Sequence, residues 1–154
     1  MPRVALSPLQ LACVLGLIHA AFSLYWALGG RWLLETVGQG PRELLKSGPL
    51  SVGASLGLIA LFKAAAAILP VLNGQDRLPW PKLWRGISWV GGVFLILYGG
   101  VNTLVAWGVL SGLVASPGYN RSAMLGHAAL WDPLFLLWGA ALVLHLWLSR
   151  PVRT

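Results

Sequence analysis

Four long apolar stretches, separated by short segments that collect the charges, prolines and turn residues, constrain this chain more than any other feature. They cover about 7–28, 50–72, 86–114 and 123–148. A hydrocarbon core ~30 Å thick is crossed by about 20 helical residues. Lipid cannot satisfy open backbone groups, so a spanning segment must be a helix or part of a closed barrel. Barrel strands are about ten residues long and alternate in polarity. These stretches are twice that length and continuously apolar. The expectation is an all-α fold: an integral membrane four-helix bundle forming one membrane domain over 1–154.

Composition agrees. Only 10% of the residues are charged and 57% are hydrophobic, whereas soluble domains carry about 25% charged residues. The net charge of +7 does not point to nucleic acid. The basic residues sit in the gaps between apolar stretches, where Lys and Arg meet lipid headgroups. Membrane lipids are therefore the expected surroundings and nucleic acid is not an expected partner. Arg3 and the apolar run after it resemble a signal peptide, but the run is long enough to span and no Ala-x-Ala site follows. It is read as a retained first helix. The segment 41–47 is expected to form a short surface helix, between Pro41 and Gly48. Pro79 and Pro81 are expected to interrupt helix before the third span, and Gly91-Gly92 and Gly99-Gly100 to bend it.

With four spans both termini share a side. That side holds Arg3, Arg77, Lys82, Arg85, Arg150 and Arg153, against Arg31, Arg42, Lys46 and Arg121 on the other. Six against four favours cytoplasmic termini.

Polar residues inside apolar spans are the candidates for function. A helix turns 100° per residue, which places Ala12, Gly16, His19, Ser23, Trp26 and Gly30 on one small and polar face. Gly53 and Gly57 form a small-x-x-x-small motif, with Ala60 and Ala64 on the same seam. It suits packing within the bundle or a homo-oligomer. Lys63 lies at the edge of that seam and must either snorkel or find an internal partner. Tyr98 and Asn102 share a face of the third span, where an amide normally bonds to another helix. In the fourth span Asp132 falls about 14 Å from the helix start. Pro133 follows it and removes a ladder bond to Ala129. Lys63 and Arg31 are the candidate partners of Asp132. His127, Trp131, Trp138 and His145 lie on another face, with His127 about 140° from Asp132 on a regular helix. The candidate polar pocket is therefore His19, Arg31, Lys63, Tyr98, Asn102, His127, Trp131 and Asp132.

The segments IHAAFSLYWALGGRW and GHAALWDPLFLLWG together resemble a family of small bacterial four-helix membrane proteins catalogued as a domain of unknown function. The resemblance covers most of the chain, from the first span to the fourth. It implies a bacterial inner-membrane location and carries over no catalytic residue.

Three functional classes stand open. The first is a non-catalytic accessory, lipid-interacting or small-molecule-binding protein whose ligand is unidentified. The second is a transporter component or membrane enzyme, with Asp132 as proton or cation site in an outward-opening cavity. The third is a haem or quinone protein with His19 and His127 as axial ligands. The depths of these two histidines differ by roughly 7 Å of helix rise, which counts against a shared metal. No cofactor, metal or soluble catalytic motif is expected: phosphate loop and His-Glu-x-x-His are both missing. Cys13 has no Cys-x-x-Cys context and reads as a small apolar residue.

Overall fold

The computed structural model describes residues 6–38 and 49–150. The segment 41–47, expected as a surface helix, and Arg3, Arg42, Lys46 and Arg153 lie outside the described residues. The described residues are helical, with no strand. Four helices are long and apolar enough to cross a membrane. They are α1 (Pro8–Ala27), α2 (Pro49–Gly74), α3 (Pro81–Leu110) and α4 (Arg121–Leu148).

The helix ends follow local chemistry. Ser7 starts α1 with a reciprocal cap: its hydroxyl accepts from Gln10 N–H and the Gln10 side chain accepts from Ser7 N–H. Asn120 starts α4 by accepting from Ala123 N–H. Pro81 opens α3 rather than interrupting it, because a proline in the first turn gives up an N–H that has no partner there anyway. The helix thus begins five residues earlier than the apolar pattern suggests. It stops at Leu110, shortly before Gly112 adopts a positive φ.

The bundle runs up and down, and α1 lies at its centre, against both α2 and α4. Its buried face is Ala12, Gly16, His19, Ala20, Ser23 and Trp26, close to the stripe that helical spacing defines. α3 packs along α4. Gly92 and Gly99 make that contact. A Cβ at Gly99 would fall 2.5 Å from the Asp132 carbonyl and the Leu136 nitrogen. Gly139 repays the approach from the other side, since a Cβ there would lie 2.6 Å from the Gly92 carbonyl. Backbones come this close only where side chains are missing. At one end Arg85 ties the two helices together, donating to the Leu146 carbonyl and to Ser149 Oγ. Of the neighbouring helix pairs, α2 and α3 touch least. That weak seam sets the shape of everything below.

Candidate functional site

The fourth helix is not regular where it carries its charge. Residues His127–Trp131 are wound as a π-helical turn. Pro133 has no N–H, and its ring crowds the carbonyl four residues back. Widening the turn to i→i+5 bonding accommodates both demands. The Trp107 indole of α3 donates to the Ala128 carbonyl inside the widened turn, at 3.1 Å. The wider turn also brings residues five apart onto one side. His127 Nδ1 lies 2.8 Å from Asp132 Oδ2. Neither Lys63 nor Arg31 is the partner of Asp132, as the sequence suggested: Lys63 turns to α1 and Arg31 is exposed. Asp132 is only 1% exposed. Its carboxylate is held by a residue that a regular helix would have put on another face.

Lys63 enters from α2. Its Nζ donates to Ser23 Oγ at 3.0 Å and lies 3.1 Å from His19 Nδ1, both on α1. It also sits 5.4 Å from the centre of the Phe135 ring, within cation–π range. The Ser23 hydroxyl donates to the His19 carbonyl at 3.3 Å, which leaves its lone pairs for Lys63. With Lys63 donating, His19 Nδ1 is the acceptor and the ring proton belongs on Nε2. That nitrogen is buried without a hydrogen-bond partner. The Trp131 backbone lies beside the ring. The imidazole is clamped by stacking on Phe135, 3.9 Å between centroids.

These groups share one cavity of about 520 Å³. α1 gives it His19 and Trp26; α2 gives Phe62, Lys63 and Ala66. α3 contributes Gly91, Phe94, Leu95 and Tyr98, and α4 His127, Trp131, Asp132, Phe135 and Trp138. The walls are aromatic, with a few polar groups at fixed places, as in sites for small molecules. Phe62 and Phe94 line it and yet are 75% and 60% exposed. The mouth therefore lies at the seam between α2 and α3, on the side of the bundle.

One end is closed by the chain that leaves α1. Trp26 Nε1 donates to the Trp32 carbonyl at 3.0 Å. A 3-10 turn, Leu34–Val37, then crosses the π turn. Trp131 Nε1 donates to Thr36 Oγ1 at 3.0 Å. Gly126 is what lets this strap down, because a Cβ there would overlap the Thr36 carbonyl. His127 Nε2 faces the strap at Gly38.

Six of the eight residues singled out from the sequence line this cavity: His19, Lys63, Tyr98, His127, Trp131 and Asp132. Arg31 does not. Asn102 makes no cross-helix hydrogen bond among the described residues. It faces an adjoining pocket of about 180 Å³ with Tyr98, His127 and Asp132. Sequence reasoning missed Ser23 as the second partner of Lys63, although its i+4 spacing from His19 was the signal. Thr36 gave no signal, since nothing in a loop residue announces a tryptophan 95 positions away.

The family model described as Protein of unknown function (DUF3995) matches residues 16–142, from α1 into α4. No curated protein matches the chain, and no solved structure does.

Proposed function

We propose that this chain, which belongs to that family of unknown function, is a multi-pass membrane protein that binds an amphiphilic small molecule without transforming it. The cavity is the observation that carries the reading. Its walls are apolar, its mouth is on the flank of the bundle, and Lys63, His19 and Asp132 lie at its depth. An amphiphile dissolved in the hydrocarbon reaches such a mouth sideways and leaves its chain against Phe62 and Phe94.

The membrane setting rests on helix length and apolarity. The basic end, with Arg77, Lys82, Arg85 and Arg150, is assigned to the cytoplasm of a bacterial inner membrane. A homo-oligomer through Gly57 belongs to the same reading, since a Cβ there meets nothing within 4 Å. Gly53 already packs on the Ala27 carbonyl, 3.1 Å from a Cβ position.

An acid–base enzyme is supported less well. A catalytic His127 needs its second nitrogen directed at substrate, and Nε2 is turned to the strap. The same orientation weighs against His127 as a haem ligand opposite His19.

The test is photolabelling in phosphatidylcholine nanodiscs with a long-chain alcohol bearing a diazirine. Adducts are expected on Phe62, Phe94 and Trp131, and are expected to be competed by unlabelled alcohol. Labelling confined to outward residues such as Leu58 and Leu61, uncompeted, sinks the proposal.

A further inference from the structure

We infer that the head of the bound amphiphile is a carboxylate, held by Lys63 Nζ. This rests on the cavity reading above and names its ligand.

The inference comes from counting donors and acceptors at the deep wall. An ammonium has three N–H donors and no acceptor. Two of them are used, on Ser23 Oγ and His19 Nδ1. Both acceptors are neutral, so among the described residues the charge of Lys63 has no carboxylate partner. Asp132 does not serve, because its hydrogen bond runs to His127 along α4. His19 adds no donor to the cavity, because the ring is 4% exposed and its Nε2 has no open surface. The Ser23 hydroxyl already donates to the His19 carbonyl. What is left over at this wall is one N–H of Lys63 and a positive charge.

A leftover donor on an uncompensated charge in an apolar cavity is costly unless a ligand completes it. The complementary group offers only acceptors and one negative charge. A carboxylate has that description, with two oxygens and a single charge. An alcohol or ester leaves the charge unmet. An amine adds donors where acceptors are missing. A phosphate monoester brings close to two charges against one ammonium. Phe135 fixes the geometry from below, stacked on His19 and beneath Lys63.

The experiment titrates the wild-type protein in phosphatidylcholine nanodiscs at mildly alkaline pH. Three ligands of one chain length displace the photoreactive alcohol: a fatty carboxylate, its methyl ester, and the primary amine. The carboxylate is expected to displace the probe at least ~10-fold more effectively than either of the others. In Lys63→Met the difference between carboxylate and ester is expected to fall to about two-fold, with ester binding kept. Ser23→Ala, which loosens Lys63 without removing it, is expected to give an intermediate preference. Equal displacement by carboxylate and ester in the wild type overturns carboxylate recognition and leaves the cavity reading standing. So does tightest binding of the amine. Failure of the alcohol itself to label the cavity overturns the cavity reading. The wild-type series decides the matter even where Lys63→Met does not fold.

Discussion

His127 and Asp132 are five residues apart and hydrogen-bonded at 2.8 Å, because the helix between them is wound one residue wider than an α turn. In a regular helix the two side chains diverge by about 140°. The extra residue therefore creates a contact and also lets the helix absorb Pro133 while keeping Gly126 and Gly139 on their separate neighbours.

A π turn behaves as an insertion, so taking one residue out should restore an ordinary helix with both flanks in phase. Deleting Ala129, which is exposed, is expected to leave a folded protein that still melts cooperatively in detergent. His127 and Asp132 then become an i,i+4 pair and stay in contact. Deleting Leu137, also exposed but in regular helix, turns Trp138 and Gly139 away from their sites and should abolish folding. Equal tolerance of the two deletions counts against this account of the turn.

The His127–Asp132 pair should also show the asymmetry of buried polar partners. Removing one partner leaves the other unsatisfied, at a cost of about 1–3 kcal/mol. His127→Leu and Asp132→Leu are each expected to lose stability in that range. The double variant is expected to be more stable than the sum of the two losses allows, with a coupling of about 0.5–3 kcal/mol. Denaturation in mixed detergent micelles measures it. Strict additivity means that the contact contributes nothing.

How much of this was legible beforehand differs by level. The four helices follow from apolar length alone, and the buried stripe of α1 follows from 100° spacing, so His19 and Ser23 were already facing the interior. Asp132 stood out as a charge at depth. Its partner did not, because helical-wheel geometry assumes uniform winding and Pro133 breaks that assumption. Pro133 was visible, but the direction in which it would redirect its neighbours depends on Trp107 and Thr36, which approach from elsewhere in the chain. Gly92 and Gly99 show the same limit. A glycine in a helix reads equally as a bend or as a contact until the facing backbone is known.

Those glycines give a paired test. A Cβ at Gly99 meets backbone at 2.5 Å, whereas one at Gly91 meets nothing within 4 Å. Gly99→Ala is expected to cost about 1–3 kcal/mol through overpacking. Gly91→Ala is expected to be neutral or to gain up to about 1 kcal/mol from helix propensity. Thermal melting in detergent distinguishes them, and similar losses in both go against the packing described.

Lys63 is the place where stability and binding should oppose each other. Buried charged groups often cost more than an apolar side chain of similar volume. Lys63→Met is therefore expected to raise the stability of ligand-free protein by about 1 kcal/mol or more, as read by unfolding in detergent. A clear loss of stability instead makes Lys63 a structural strut.

The weak seam between α2 and α3 has one more consequence. In the membrane setting proposed above, a mouth on the flank of the bundle samples solute that has already partitioned into the bilayer, not solute in water. Occupancy then follows the mole fraction of amphiphile in the lipid. Diluting the same protein and amphiphile with extra vesicles should empty the cavity even though the total aqueous-phase dose is unchanged.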